Sequence, residues 1–204
     1  MTRKLISMFV AAAALATGPL AAQNTFGLVA GVVSAKTTVS GGGVSLSFDS
    51  RTGFAGGVSM SHPITKDFDF APELLYIQKG FQVKDGNSTG GTKVAYVELP
   101  LLFRAKFGSS DTKPFVLAGP TIGVKASCKI TASSGGTSGS TNCTDGDIGL
   151  KSTDFGVMLG GGVAFNRFSV SVRYDLGLAN TLKGGDAGVS YKNRALLALV
   201  GVSL

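Results

Sequence analysis

The chain of 204 residues has no tryptophan, one histidine and two cysteines, and Asp, Glu, Lys and Arg together make up only 15% of it. Each scarcity excludes something. A single histidine, His62 in "SMSHPI", provides no imidazole cluster for a catalytic metal. A Ser-His-Asp arrangement would have to use that one residue, and its place beside a short turn reads as structural. Two cysteines without a neighbouring histidine cluster cannot complete a zinc site. Cys128 and Cys143 instead bracket a Gly/Ser/Thr-rich stretch, "CKITASSGGTSGSTNC", and in an exported chain such a pair predicts a disulfide. A water-bathed domain carries nearer a quarter charged residues, so the surface is not expected to lie wholly in water. No apolar run reaches ~18 residues, and no helix of the mature chain is expected to span a membrane. The formal charge is +7, but the basic residues are not interleaved with aromatics as a nucleic-acid surface requires. Gly160 to Gly162 lie mid-strand and open no helix, so they do not form a phosphate-binding loop. Neither nucleic acid, nor a cofactor, nor a catalytic set is expected.

Among the features present, the first 22 residues stand apart. Arg3 and Lys4 precede an apolar core from Leu5 to Ala16, followed by Gly18-Pro19 and small residues up to Ala22. That order is the layout of a cleaved secretory signal. Removing it takes two positive charges and leaves residues 23–204 as one domain.

The stretch "YVELPLLFRAKF" (96–107) shows how that domain is built. Val97, Leu99, Leu101, Phe103, Ala105 and Phe107 take the odd positions, while Glu98, Arg104 and Lys106 take even ones. Period-2 alternation of this kind is a strand with two different faces. It recurs in "FSVSVRYDLGL", where Val170, Val172 and Tyr174 alternate with Ser171, Arg173 and Asp175. Eight strands are expected, at 25–36, 52–64, 68–80, 93–107, 113–126, 152–165, 168–182 and 192–204. Most have about 12 residues against a usual ~5–6, long enough to cross a bilayer when tilted. The connections alternate. Segments 37–51, 81–92, 127–151 and 183–191 are long and polar, whereas 65–67, 108–112 and 166–167 are tight turns. Long loops at one end and short turns at the other are the mark of an all-β, eight-stranded, antiparallel up-and-down outer-membrane barrel. Phe26, Phe68, Phe70, Phe107, Phe115, Phe165 and Phe168 gather near the short-turn end and suggest an aromatic girdle there.

In such a barrel Val97, Leu99, Leu101, Phe103, Phe107, Val170, Val172 and Tyr174 would face lipid. Glu73, Lys79, Glu98, Arg104, Lys125, Asp154, Arg173 and Asp175 would face the lumen and pair with one another. A lipid-facing Arg or Lys at mid-depth costs about 2–4 kcal/mol, which fixes the parity of each strand. Pro100 and Pro120 are expected at bulges or loosened pairings. Leu197 and Leu199 stand out as apolar residues on the inward face. Eight strands make a cylinder narrow enough for side chains to fill, so a salt-bridged plug is favoured over a pore.

The segments "PELLYIQKG", "YVELPLLFRAKF", "FVLAGPTIG", "DFGVMLGGGV", "VRYDLGLAN" and "KNRALLALVGVSL" together resemble the outer-membrane β-barrel domain family. Within it they are similar to the porin-family or PorT-like small barrels of Bacteroidetes and related Gram-negative bacteria. The resemblance implies an integral outer-membrane protein with both termini in the periplasm. Its expected partners are outer-membrane lipid and, during insertion, the barrel-assembly machinery; the extracellular partner is unknown. A structural or surface-interaction role through the loops is expected, with a narrow small-solute channel or an accessory part in protein secretion as alternatives. One departure is Leu204, where such barrels usually end in an aromatic residue.

Overall fold

The structure is a computed structural model that describes residues 24–41, 44–108, 110–143, 151–181 and 190–204. The expected signal, 1–22, lies outside the described residues, and so does most of the expected loop 183–191. The strands are β1 (Thr25–Gly41), β2 (Val44–Ser47), β3 (Asp49–Pro63), β4 (Phe68–Asp85), β5 (Ser88–Lys106), β6 (Thr112–Ser134), β7 (Thr137–Asn142), β8 (Thr153–Phe165), β9 (Phe168–Gly177) and β10 (Ser190–Ser203). Eight of them form a ring in the order β1-β3-β4-β5-β6-β8-β9-β10, and β10 pairs back onto β1 from Gly27↔Ser203 to Ser40↔Ser190. All pairings are antiparallel. The sheet therefore closes into a barrel, as the alternation predicted, and closure removes the exposed edges that an open sheet would carry.

The short β2 and β7 are additions to this ring. Among the described residues β7 pairs only with β6, and β2 folds back on the end of β1. They correct the expected loop boundaries. Segment 81–92 is a hairpin in which β4 and β5 run on to Asp85 and Ser88 around Gly86-Asn87. The first part of 127–151 is likewise a hairpin, turning at Gly135-Gly136, where both glycines have positive φ. Beyond the apolar belt both faces of a hairpin meet water. The apolar/polar alternation that marks a strand then fades, and only the turn residues signal the fold.

At the other end the turns are tight. Asn166 takes φ 50° between Phe165 and Phe168, which pair directly, and residues 64–67 close with Ile64 N–H donating to the Phe68 carbonyl at 2.8 Å. Phe26, Phe68, Phe107, Phe165 and Phe168 are exposed around this end. Phe68 and Phe70 contact Phe103 at centroid distances of 5.9 and 5.3 Å. Phe115 does not join them. Its odd position on β6 turns it into the lumen, where it is 4% exposed.

The prolines loosen the ladder without shifting its register. Between Pro72↔Leu101 and Leu75↔Glu98 the β4–β5 pairing lapses, and between Pro100↔Thr121 and Phe103↔Ala118 the β5–β6 pairing lapses. Proline has no N–H to contribute, so these gaps follow from composition. True register shifts lie elsewhere, between Ala95 and Tyr96 on β5 and between Ser50 and Ala55 on β3.

Candidate functional site

The inward face of each strand converges on the lumen, and its filling is layered. Nearest the tight turns, Arg104 donates from Nε and Nη2 to Asp69 Oδ2 at 3.1 and 2.7 Å. Lys106 Nζ reaches Asp69 Oδ1 at 2.8 Å, and Arg104 Nη2 also donates to Ser61 Oγ at 2.8 Å. The Arg104 guanidinium lies 5.6 Å from the centre of the Phe115 ring, a cation–π distance. The inward-facing Phe115 thus has a cation to pack against.

The next layer is a strut across the barrel. Arg173 Nη1 on β9 donates to Glu73 Oε2 on β4 at 2.6 Å, and its Nε donates to Ser171 Oγ at 3.1 Å. These strands lie four places apart in a ring of eight, so the pair spans the lumen. A second strut lies farther from the tight turns. Lys79 Nζ on β4 stands 2.5 Å from Asp175 Oδ2 on β9, 2.5 Å from Glu98 Oε1 on β5 and 3.7 Å from Asp154 Oδ2 on β8. Asn193 Nδ2 donates to Asp154 Oδ2 at 2.9 Å, and the Tyr96 ring centre lies 5.5 Å from the Lys79 ammonium. One cation thus holds three carboxylates, all at most 3% exposed. Glu98 Oε2, Asp154 Oδ1 and Asp175 Oδ1 have no hydrogen-bond partner among the described residues.

Apolar side chains fill the space between these layers. Leu75, Ile77, Leu102, Met158 and Leu197 are at 0% exposure, and Tyr96 is at 1%. Small spaces remain among the described lumen side chains. One of about 50 Å³ touches Glu73, Arg104 and Arg173, and one of about 20 Å³ touches Tyr96, Thr181 and Asn193. Each has room for one or a few waters, and the Lys79 strut stands between them.

Seven of the eight inward charges read from sequence therefore fall into these groups: Arg104 in the first, Glu73 and Arg173 in the second, Lys79, Glu98, Asp154 and Asp175 in the third. Lys125 takes inward register opposite Tyr96 but is only half-buried, near the hairpin end. Sequence reasoning missed Asp69 and Asn193. Asp69 carried a signal, since it sits between Phe68 and Phe70 with the parity of Glu73. On the outward face, Leu99, Phe103, Phe107, Val170 and Val172 are exposed at 40–59%, while Val97, Leu101 and Tyr174 are partly covered by neighbours. In the tautomer protonated at Nδ1, His62 donates to Asn24 Oδ1 at 2.8 Å, close to the tight-turn end. The disulfide Cys128–Cys143 is formed, at the base of the β6–β7 hairpin, with a Cα separation of 5.3 Å.

A family model described as "outer membrane protein beta-barrel domain" matches residues 21–183. The chain belongs to the outer-membrane β-barrel domain family. The barrel is thus a protein of the outer membrane that crosses it with strands, and no helix among the described residues is long and apolar enough to do so. No curated protein matches the sequence. Among solved structures, the barrel is similar to Ail, the attachment invasion locus protein of Yersinia pestis, at 15% identity and a TM-score of 0.43, covering 88% of this chain and 99% of that one. It is similar to Neisserial surface protein A at 16% identity and a TM-score of 0.43, covering 88% and 97%. It is also similar to the outer membrane enzyme PagL at 16% identity and a TM-score of 0.47, covering 83% and 98%.

Proposed function

We propose that this is a closed barrel that acts at its surfaces rather than through its lumen. It would stand in the outer membrane with both termini in the periplasm and offer the β4–β5 and β6–β7 hairpins to the outside. The observation that carries this reading is Lys79, whose ammonium ties β4 to β9 through Asp175 and to Glu98 on the adjacent strand. A solute passing through would have to break that contact and the Glu73–Arg173 pair in turn, leaving buried charges alone. Breaking a buried pair costs several kcal/mol. The outward faces of β5 and β9, with Leu99, Phe103, Val170 and Val172, would meet acyl chains, and the barrel-assembly machinery would insert them. The reading is non-enzymatic: the one histidine binds Asn24 at the end opposite the hairpins. A role in secretion finds no residue here to carry it. A narrow channel is the competing reading.

Conductance of the purified barrel in planar bilayers separates the two. No steady current is expected; open channels of nanosiemens order would overturn the closed-lumen reading. Protease added to intact cells should clip the β6–β7 hairpin, and protection of that hairpin would reverse the proposed orientation.

A further inference from the structure

On the outer wall, where β10 closes onto β1, two cations face each other. Lys36 pairs directly with Arg194, and both take outward parity because their neighbours Ala35 and Ala195 are buried. Lys192 follows on the same face, opposite Thr38. Directly opposed side chains have Cβ atoms about 4.5–5.5 Å apart, and like charges there repel. Among the described residues no carboxylate forms an ion pair with any of the three. Arg194 Nε is buried and has no hydrogen-bond partner among the described residues. Two cations side by side, with one buried donor unsatisfied, would be relieved by an anion.

The surroundings say what kind. Lys36, Arg194, Ser34, Ser50, Tyr174 and Leu196 line an open groove of about 460 Å³, and the Asp49 carboxylate lines it too, without an ion pair to either cation. Toward the tight turns the groove runs into exposed apolar wall at Val32, Leu196 and Val200. From Phe26 in the aromatic ring to Lys36 the strand climbs ten residues. At ~3.4 Å per residue and a tilt of ~40° this is ~26 Å of height, close to the ~25 Å apolar band of such barrels. The cations therefore stand at headgroup level in the leaflet opposite the aromatic ring, with room for acyl chains below.

We propose that this groove binds the phosphate-bearing headgroup of an outer-leaflet glycolipid of the lipid A type. Arg194 and Lys36 would share one phosphate, since guanidinium recognises phosphate oxygens through paired N–H groups. Ser34, Ser50 and the Tyr174 hydroxyl are placed to meet the sugar, and Leu196 and Val32 the chains. Free phosphate would have no use for the apolar continuation, and a protein partner would have to lie within the bilayer. The inference rests on the orientation proposed above.

The test uses the full barrel purified in zwitterionic detergent, titrated with bisphosphorylated lipid A and followed by native mass spectrometry and thermal unfolding. One lipid A should bind per barrel and raise the unfolding temperature, and lipid A stripped of its phosphates should bind at least tenfold more weakly. In the K36Q/R194Q double variant occupancy should fall at least tenfold. Without lipid that variant should unfold at a temperature equal to or above that of the parent, because the repulsion is gone. A control, K84Q/K129Q on the hairpins, should bind as the parent does. Equal binding of the dephosphorylated lipid, unchanged binding in K36Q/R194Q, or equal saturation by inorganic phosphate alone would each overturn the proposal. These results are read on the folded barrel, so they do not depend on the bilayer conductance that tests the closed lumen. Protease protection of the hairpins would remove the orientation without altering the binding measured in detergent.

Discussion

Replacing Lys79 by Met removes the ammonium and keeps much of the side-chain volume. In the parent, that ammonium lies within 4 Å of Glu98, Asp175 and Asp154. The variant leaves three carboxylates within a few ångströms of one another, each at most 3% exposed. Removing one partner of a buried pair costs about 3–5 kcal/mol, because the other charge is stranded. Here three charges are stranded, so the loss should reach at least that range. Neutralising every member but Asp154 is different. K79M/E98Q/D175N leaves Asp154 with the Asn193 amide it already has at 2.9 Å. Uncharged replacements of a buried network are often tolerated, so the triple variant should recover most of the loss.

The assay is equilibrium urea unfolding of the barrel refolded in phosphatidylcholine vesicles. Heat-modifiable migration on gels reports the folded fraction. A loss under about 1 kcal/mol for K79M would refute the argument, since exposed pairs are worth about that little. So would a triple variant less stable than K79M, because the penalty would then come from lost packing and not from unpaired charge. If K79M folded well and conducted ions, Lys79 would be a gate rather than a strut.

Three further outcomes follow from the geometry. L99R should cost about 2–4 kcal/mol in the same unfolding assay and F107R, at the aromatic boundary, about 0–1 kcal/mol; equal losses would mean that the wall does not sense depth. C128S/C143S should cost the hairpin up to about 3 kcal/mol by the chain-entropy argument for a loop of this length. Its effect should be faster proteolysis of the β6–β7 hairpin, with the gel shift of the barrel kept. G160A should abolish refolding, because its Cβ would meet the Val172 carbonyl oxygen at 2.5 Å and the Arg173 Cα at 2.8 Å. G161A, whose nearest contact is 3.1 Å, should refold.

The barrel was legible in the sequence because lipid on one side and packed side chains on the other impose a strict parity, and parity is what period-2 patterns record. "YVELPLLFRAKF" gives the faces of β5 without any knowledge of its neighbours. The same logic fails where the environment is the same on both sides. The hairpin strands beyond Gln82 and Ser127 meet water all round, so Thr, Ser and Gly there read as loop although they pair. Parity also says that Lys79 and Asp175 point inward but not that they meet. That depends on the tilt and stagger of strands far apart in the chain. Phe115 misled for a related reason: nearness to a turn suggested the girdle, while its odd position on β6 already placed it inside beneath Arg104.

The arrangement of charges answers a problem that the apolar wall leaves open. A strand that slips by one residue turns its charges to lipid, and the wall resists that. A slip by two residues keeps every face and offends nothing outside. Inside, it moves a strand by about 6.8 Å along its axis and parts the struts. On β4 the order is Glu73 then Lys79, and on β9 it is Arg173 then Asp175, so the two struts have opposite polarity. The ionic layers would then select among registers that hydrophobicity cannot distinguish. If so, E73R alone or R173E alone should give a mixture of folded species or none, because each sets like charges across the lumen. The swap E73R/R173E restores an attractive pair and should recover a single heat-modifiable band. Disulfide trapping of cysteine pairs on β4 and β5 reports register directly: the parent and the swap should trap only at the partners of Tyr76↔Val97, and the single variants also at positions two residues away. Single variants that fold to one register as cleanly as the parent would show that the struts stabilise the barrel without specifying it.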